Sequence, residues 1–354
     1  VIENIYLYRD STTYTGTGTA MKMTDCAGAR IHHVTVTGFD IGLHHNDGYF
    51  VHYHDLTVTN YFTNGIKIDD DGSLTTADIF LRDISIKHAK ADAAVALLIE
   101  APNVQVNGLE LEEWGAIGVH VYDATLLGSL SNVFLSNVSI VGGEARCGAG
   151  IKINGATDIH VNNFNIENAA AGWASFASTD GIWVTGATAE RVYFTNGNVS
   201  YSSRNGIRVD SGARNALFAG IDITRSGDQG VYVATTSGSR FRNIKLSNSD
   251  QNATLTGTAD AHIYMNGAQK HFFEGVNFAD ASTAYGIAEA GSANLNRYSG
   301  LVVESGATFS SSMLYRVSAG LRVTDLHPSA VYGSQTGEGL GPVGTIYANL
   351  TAGS

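Results

Sequence analysis

Short segments in which apolar and polar residues alternate recur along the chain. Five of them contain a glycine followed by a strand pattern: NGIKIDDDG from Asn64, AGIKINGA from Ala149, STDGIWVTG from Ser178, NGIRVDSG from Asn205 and QGVYVATT from Gln229. Branched residues occupy every second position after the opening glycine, as in a strand with one buried face. The pattern predicts a short β-strand in each segment, with Ile or Val directed inward.

The strand-opening position recurs at intervals of 22 to 32 residues. It is occupied by Gly42, Gly65, Ala96, Gly118, Gly150, Gly181, Gly206, Gly230, His262 and Gly286. Most repeats contain a second alternating segment, such as HDLTVTN, LRDISIKH, FLSNVSIVG or LFAGIDITRS. Such a period, with insertions, is typical of a solenoid, and no segment has the apolar spacing of a long helix.

These repeats predict an all-β fold, a right-handed single-stranded parallel β-helix of about ten coils with a non-repeating C-terminal segment. The coils would stack at about 4.8 Å, with Gly and Asn in left-handed or tight conformations at the corners. We expect a leading segment or cap over residues 1–27, the β-helix over 28–303 and the non-repeating segment over 304–354. The form of both ends favours a truncated chain.

Composition and charge narrow the classes of function. The chain has 354 residues, a formal net charge of −12 and only 15% charged residues. We expect no nucleic-acid partner, because phosphate binding depends on clustered Lys and Arg and no basic run occurs. No apolar run reaches the length of a membrane span, so no membrane insertion is expected. Two cysteines, Cys26 and Cys147, define no disulfide framework. The low content of charged residues favours an extracellular protein.

Stacking of the coils predicts two outward columns of side chains. The first column reads His44, Lys67, Leu98, His120, Lys152, Trp183, Arg208, Tyr232 and Tyr264. The second column reads Asn46, Asp69, Glu100, Tyr122, Asn154, Thr185, Asp210, Ala234 and Asn266. Two regions of these columns carry chemistry.

The first region is acidic. Asp69 and Glu100 should lie on adjacent coils about 5 Å apart, which suits a retaining glycosidase. Asp123 is expected at the neighbouring corner, with Lys67 and His120 in the next column. Two carboxylates this close would raise the pKa of one of them and provide a proton donor at neutral pH. The alternative is that this Asp-rich segment is a solvated turn.

The second region combines aromatic and charged side chains. It contains Lys152, Trp183, Arg208, Asp210 and Tyr232, with Asp180 just before its strand and Trp173 and Phe176 in a nearby loop. Flat aromatic rings beside hydrogen-bonding groups are typical of a sugar-binding platform. The alternative is that these side chains only cover the surface of the coils.

Metal ligands are not indicated strongly. His52 and His54 lie on one side of a strand, as a metal site requires, but no third ligand stands at a characteristic spacing. We therefore expect surface histidines, no metal centre and no cofactor. Asp70 and Asp71 form a short acidic turn that offers Ca²⁺ ligands, which is weak support for a calcium site.

In its coil pattern the sequence resembles the pectin-lyase-like superfamily of right-handed β-helices over residues 28–303. STDGI is similar to the Asn-Thr-Asp-Gly element of polygalacturonases, which implies a catalytic role for Asp180, and Arg208 in GIRVD is similar to the Arg of their Arg-Ile-Lys element. The following Asp-Asp pair, the Gly-His-Gly element and the Asp-Pro-His-Glu motif of the epimerases are missing. The chain looks most like a bacteriophage tailspike or capsule depolymerase. That resemblance implies a homotrimer, on a virion tail or secreted, that binds and cleaves bacterial capsular or lipopolysaccharide glycan.

The first hypothesis for the function is an endo-acting polysaccharide depolymerase of the glycoside hydrolase type. Its catalytic candidates are Asp69, Glu100 and Asp123, with Asp180 and Asp210 as a rival set. Its substrate-binding candidates are Lys67, His120, Tyr122, Lys152, Trp183, Arg208 and Tyr232. The alternatives are a lyase in which Lys67, Lys152 or Arg208 removes a proton beside a uronate, and a glycan-binding adhesin without catalysis.

Overall fold

The fold was analysed in a computed structural model of the chain. The structure describes residues 1–9, 18–70, 77–125, 128–142, 148–167, 179–250, 259–280, 283, 285–293, 295–304, 313–317 and 331–332. Asp71, Cys147, Trp173 and Phe176 lie outside these residues. The described part contains strands and no α-helix, and accordingly no helix in it is long and apolar enough to span a membrane.

Twenty-six strands follow one another through this part of the chain. They are β1 (Ile2–Tyr8), β2 (Thr19–Ala27), β3 (Arg30–Thr37), β4 (Ile41–Thr59), β5 (Asn64–Asp69), β6 (Ala77–Lys87), β7 (Val95–Glu100), β8 (Val104–Glu112), β9 (Ile117–Tyr122), β10 (Ser131–Val141), β11 (Ala149–Asn154), β12 (Thr157–Glu167), β13 (Ile182–Thr185), β14 (Glu190–Ser200), β15 (Ile207–Val209), β16 (Leu217–Thr224), β17 (Val231–Ala234), β18 (Arg240–Ser247), β19 (Ala261–Asn266), β20 (Phe272–Glu274), β21 (Asn277–Phe278), β22 (Tyr285–Ala290), β23 (Arg297–Ser299), β24 (Leu301–Val303), β25 (Met313–Val317) and β26 (Val331–Tyr332).

The strands form two parallel ladders, to which each coil contributes one rung. Ladder A consists of β2, the first part of β4, β5, β7, β9, β11, β13, β15, β17, β19, β22 and β25. Ladder B consists of β1, β3, the second part of β4, β6, β8, β10, β12, β14, β16 and β18, and then β20, β21, β23, β24 and β26. The predicted all-β parallel solenoid is confirmed.

The ladders reach beyond the predicted boundaries of the β-helix. Within residues 1–27, β1 pairs with β3 and β2 pairs with β4. Within residues 304–354, β25 pairs with β22 and β26 pairs with β24. These rungs lie outside the predicted bounds because their sequences lack the opening glycine that marks most of the other coils.

The core lies between the two ladders and is built from branched and aromatic side chains. The inward residues of ladder A, such as Ile66, Ile68, Ile151 and Ile153, are fully buried. In ladder B, five rings stack along the axis with centroids 4.5 to 5.5 Å apart, namely Phe194, Phe218, Phe241, Phe273 and Tyr298. Stacking of like residues on consecutive rungs thus packs ring against ring through this part of the interior.

Glycine opens the strands of ladder A because there is no room for a side chain. At Gly206 an added Cβ would lie 2.2 Å from Ile223 Cγ2 and 2.7 Å from the carbonyl oxygen of Gly230. Gly181 and Gly65 have the same kind of neighbours. None of these three glycines has a positive φ. The prediction of tight corners is therefore confirmed here, but the reason is close packing between the ladders rather than a left-handed backbone.

Left-handed residues occur instead at a bend within the rungs of ladder B. We call the stack they form the bend column: Asn4, His33, Asp55, Asp83, Gly108, Asn137, Asn163, Asn196, Gly220, Asn243, Gly275 and Gly300, all with φ between 50° and 76°. Gly and Asn adopt this conformation at low cost, which explains most of the column. His33, Asp55 and Asp83 are the exceptions, and they lie on consecutive rungs.

We expect Gly206→Ala to lower the free energy of unfolding by about 1–3 kcal/mol, because the new methyl group overlaps Ile223 and neither can move without displacing the next coil. Urea unfolding monitored by circular dichroism measures this change. Asp222→Ala, at an exposed position of the neighbouring β16, is the control and should change stability by less than about 0.5 kcal/mol. A Gly206→Ala variant as stable as the control would contradict the packing argument.

Candidate active site

The two outward columns of ladder A are arranged as predicted. The register aligns His44 with Lys67, then Leu98, His120, Lys152, Trp183, Arg208, Tyr232 and Tyr264. It also aligns Asn46 with Asp69 and Glu100, and Tyr122 with Asn154 and Thr185. The candidate residues therefore share one face of the β-helix, although they form two separate clusters on it.

The first cluster joins two carboxylates through a lysine. Lys67 Nζ lies 2.7 Å from Asp69 Oδ2 and 3.2 Å from Glu100 Oε2. His44 Nε2 lies 2.8 Å from the other oxygen of Asp69. All four side chains are partly exposed, between 15% and 24%. We call His44, Lys67, Asp69 and Glu100 the acidic cluster.

The lysine changes the expected electrostatics of the acidic cluster. Burial opposes ionisation of Asp69, but the hydrogen bonds and charges of His44 and Lys67 outweigh it and lower the pKa of Asp69. Burial likewise opposes the charge of Lys67, yet its contacts with Asp69 and Glu100 raise the pKa of Lys67. The expectation of a raised carboxyl pKa from like-charge repulsion is wrong for Asp69, because a cation lies between the two carboxylates.

The hydrogen bonds of Asp123 that the structure shows lie in the segment after β9. Its Oδ1 accepts hydrogen bonds from the backbone and hydroxyl of Thr125, and its Oδ2 accepts one from the backbone of Ser129 at 2.8 Å. These bonds outweigh burial and lower the pKa of Asp123. The side chain is buried and organises the loop that follows β9, which is the structural role that short polar side chains take in turns. Asp71, which the sequence offers together with Asp70 as a ligand for Ca²⁺, lies outside the described residues.

The second cluster alternates cations and aromatic rings along the column. Lys152 Nζ lies 3.9 Å from the centre of the Trp183 ring, and the Arg208 guanidinium carbon lies 4.6 Å from it. Because Lys152 and Arg208 are on the preceding and following rungs, they cover the indole from both sides. Trp183 thus presents its edge to solvent, and the predicted stacking of a sugar on its face has no free surface here. Tyr232 continues the column, 5.9 Å from the Arg208 guanidinium carbon.

Arg208 also connects two aspartates. Its Nε donates to Asp210 Oδ2 at 2.6 Å, and its Nη1 lies 3.5 Å from Asp180 Oδ2. Trp183 Nε1 donates to the second oxygen of Asp210 at 3.1 Å. We call Lys152, Asp180, Trp183, Arg208 and Asp210 the arginine cluster.

The two aspartates of the arginine cluster have opposite pKa shifts. Burial raises the pKa of Asp180, which is fully inaccessible and accepts a 2.7 Å hydrogen bond from Asn205 Nδ2. Burial also disfavours the charged form of Asp210, but hydrogen bonds from Thr185 and Trp183 and the charge of Arg208 lower its pKa. Asp180 therefore contacts Asn205 and Arg208 from a buried position and does not face solvent.

Lys152 differs from the other cations of this face. Burial lowers its pKa, the charge of Asp210 raises it in part, and the charge of Arg208 lowers it further. Among the described residues no carboxylate lies within ion-pair distance of Lys152 Nζ, in contrast to Lys67 and Arg208. Lys152 is therefore a cation that can receive an external anion or give up its proton.

His120 and Tyr122 lie between the two clusters. Their rings stack with centroids 5.1 Å apart. Burial and the charge of Lys152 lower the pKa of His120 to about 3, so the imidazole is neutral at physiological pH. Leu98 separates this pair from Lys67 in the same column.

Two residues that the sequence did not single out support the clusters. His44 was placed in the column but not among the site candidates, although its rung precedes that of Lys67. Asn205, which binds Asp180, precedes Gly206 just as Asp180 precedes Gly181. Alignment of the residue before the opening glycine in consecutive repeats would therefore have predicted the contact between Asp180 and Asn205.

No protein family model matches this chain, and no curated protein matches it in sequence. Among solved structures it is similar to the periplasmic alginate epimerase AlgG, with 8% identity, a TM-score of 0.49 and coverage of 85% of this chain and 77% of the other. It is also similar to the A-module of the Azotobacter vinelandii mannuronan C-5 epimerase AlgE6, with 13% identity, a TM-score of 0.45 and coverage of 91% and 92%.

A third similar structure is the enzymatically active domain of bacteriophage CBA120 tailspike protein 2, with 10% identity and a TM-score of 0.47. The match covers 85% of this chain and 46% of that one. The strand pairing itself identifies this chain as a parallel β-helix.

We expect Arg208→Met to lower the free energy of unfolding by about 3 kcal/mol, because Asp180 and Asp210 lose their shared cation while they stay buried. Urea unfolding at pH 7 measures the loss. Arg225→Met is the matched control, since Arg225 is exposed and only stacks on and bonds to Tyr201, and it should cost less than about 1 kcal/mol. Equal losses in the two variants would contradict a special role of Arg208.

Proposed function

We propose that this protein is an endo-acting polysaccharide depolymerase of the glycoside hydrolase type, which cleaves a bacterial surface glycan at the acidic cluster. The observation that supports it is the shared contact of Asp69 and Glu100 with Lys67. Since these carboxylate oxygens lie 2.7 and 3.2 Å from one nitrogen, they are within about 6 Å of each other, which covers the spacing of about 5–5.5 Å in retaining glycosidases.

From these contacts we infer different roles for the two carboxylates. Asp69, with its lowered pKa, is ionised and acts as the nucleophile that bonds to the anomeric carbon. Glu100 has one described contact, with Lys67, whereas Asp69 has two, with Lys67 and His44. Glu100 donates a proton to the departing glycosidic oxygen. It then takes a proton from the water that hydrolyses the glycosyl-enzyme bond, so that Glu100 is restored. Lys67 acts as a positioning residue that keeps Asp69 ionised.

The arginine cluster supplies binding at a distance from the cut. From β7 to β13 the ladder rises three rungs, or about 14 Å, so a chain lying along this face would span both clusters. Such a reach supports internal cleavage of a polymer rather than removal of terminal sugars. Lys152 offers hydrogen-bond donors to sugar hydroxyls or to an acidic substituent.

A lyase acting on a uronate-containing glycan is the second candidate, and the lowered pKa of Lys152 favours it. In this reaction Lys152 removes the proton beside the uronate carboxylate, and the bond to the leaving oxygen breaks to form an unsaturated sugar. The departing oxygen takes up a proton from water, and Lys152 later releases its proton to solvent. An adhesin without catalysis is the third candidate. The proposal includes assembly as a homotrimer and a location on a virion tail or as a secreted protein.

The test is incubation with purified capsular polysaccharides and lipopolysaccharide glycans, followed by mass spectrometry and ultraviolet absorbance of the products. We expect fragments that gain one water per cut and no absorbance of an unsaturated uronate. Asp69→Asn and Glu100→Gln should each lower kcat by roughly 100- to 10,000-fold. The matched control is Glu112→Gln, because Glu112 also binds a lysine between two carboxylates, on ladder B.

Other outcomes separate the alternatives. Unsaturated products that disappear in Lys152→Met would replace the hydrolase with the lyase. A glycan that binds to the protein but stays intact would support the adhesin and contradict both enzymatic candidates. Cleavage that survives both Asp69→Asn and Glu100→Gln would rule out the acidic cluster as the catalytic site.

A further inference from the structure

A cavity of about 680 Å³ lies on ladder B, across the core from the proposed glycan site. Four consecutive rungs line it, namely β3, β4, β6 and β8. Because rungs are spaced at about 4.8 Å, these four rungs span about 14 Å along the axis of the β-helix. The volume falls within the range of about 300–1,000 Å³ that is usual for ligand sites, so the cavity is large enough to bind a ligand.

The side chains that this cavity offers to a ligand are mostly polar. Ile31, Tyr53 and Leu81 border it but are at most 1% exposed, so they contribute mainly backbone. The rest of its described lining consists of Arg, His, Gln and Asn side chains and the ring of Phe80, and it includes no carboxylate. The cavity is therefore suited to a polar ligand that accepts hydrogen bonds.

One side of the cavity, beside the bend column, is already occupied by internal contacts. The contacts with carboxylates are those of His32 with Glu3, of His33 and His54 with Asp55, and of His54 and Arg82 with Asp83. These carboxylates offset the charge of Arg82, so this side carries no excess positive charge. Asn107 likewise accepts a 2.7 Å hydrogen bond from Asn137.

The other side of the cavity is a column of side chains without such partners. We call Arg30, His52, Phe80 and Gln105 the open column, because the register aligns them on consecutive rungs. His52 and Phe80 stack with ring centroids 4.6 Å apart. Within the part of the chain that the structure describes, the side chains of Arg30, His52 and Gln105 have no hydrogen bond or ion pair, and all three are exposed. Their polar groups are therefore available to an external ligand.

Arg30 differs from the other arginines in the strands of ladder B. Carboxylates pair with Arg82, Arg191 and Arg242, and the ring of Phe272 contacts Arg240 and Arg297. Arg30 has neither kind of contact with a described residue, so its charge is not offset. A guanidinium in this position can bind an external carboxylate through two parallel hydrogen bonds.

We propose that the open column binds a segment of the glycan chain, with a carboxylate of one sugar held by Arg30. Gln105 and His52 offer an amide and a ring nitrogen to sugar hydroxyls, which both donate and accept hydrogen bonds. The core of a protein interface is more apolar than this lining, and a nucleic acid would require several clustered cations. The inference rests on the proposed function, since it takes the ligand to be the polymer that ladder A cleaves.

A second site on the same rod changes how the protein binds a polymer. When one site is occupied, the second contact forms at a high effective concentration, so the two sites together bind a polymer more tightly than either site alone. The open column thus keeps the protein on the glycan between cuts without touching the scissile bond.

The test is calorimetric titration with oligosaccharides, made by partial acid hydrolysis of carboxylate-bearing polymers from the panel described above. The full chain carries Glu100→Gln so that it does not hydrolyse them. We expect two bound oligosaccharides per chain. Arg30→Gln should weaken one site by roughly 10- to 100-fold, as for loss of a hydrogen bond between charged groups. Gln105→Ala should weaken the same site by roughly 3- to 10-fold, and it decides the matter if Arg30→Gln does not fold.

A carboxyl-reduced oligosaccharide tests the role assigned to the acidic group. At the site on ladder B, it should bind equally weakly to the chain with Arg30 and to the Arg30→Gln variant, because the partner of the guanidinium is gone. A carboxyl-reduced oligosaccharide that still binds Arg30 as tightly as the acidic one would overturn that role.

The control is Arg242→Gln, because Arg242 is exposed on the same ladder, outside the cavity, and pairs with Glu274. It should leave both sites unchanged, and circular dichroism checks that each variant is folded. A single site that neither Arg30→Gln nor Gln105→Ala weakens would overturn the inference while the proposed function stands. Binding that depends on Arg30 in a protein that cleaves none of the polymers would overturn the proposed function alone. No binding of any polymer would overturn both.

Discussion

The in-register stacking of parallel rungs is the constraint on which the rest of this molecule depends. Each residue of a rung has its counterpart about 4.8 Å away on the next rung. The side chain at one position must therefore fit the side chains above and below it in the same column. In the interior, this spacing favours columns of similar side chains, as in the stack of rings from Phe194 to Tyr298. It also forces glycine at Gly206, where the two ladders come too close for a methyl group.

On the outward faces, the same spacing means that a charged side chain interacts mainly with the side chains next to it in its column. Two like charges on adjacent rungs repel unless a cation is inserted, and this chain inserts one repeatedly. Lys67 lies between Asp69 and Glu100, and Arg208 lies between Asp180 and Asp210. The clusters for which we propose a function are thus also what allows the columns to carry charge, so the same contacts contribute to the stability of the coils.

Much of this arrangement could be predicted from the sequence, because a period of two residues fixes which side chains face outward and the repeat fixes which of them align. Both columns of ladder A follow from that reasoning. The directions of the pKa shifts do not, since they depend on where the flexible end of Lys67 or Arg208 lies. Asp180 was a catalytic candidate by motif, but its corner turns it inward onto Asn205. The contact of His33 with Asp55 depends on a left-handed bend, which alternation alone cannot reveal.

The central claim is that the outward face of ladder A holds a glycan chain with its scissile bond at the acidic cluster. The most direct measurement is a crystal structure of the Asp69→Asn variant soaked with an oligosaccharide from a polymer that the protein degrades. The account predicts sugar density that runs from Lys67 to Trp183, with one glycosidic oxygen within hydrogen-bond distance of Glu100. Sugar bound only on ladder B, or at a contact between subunits away from Glu100, would contradict it.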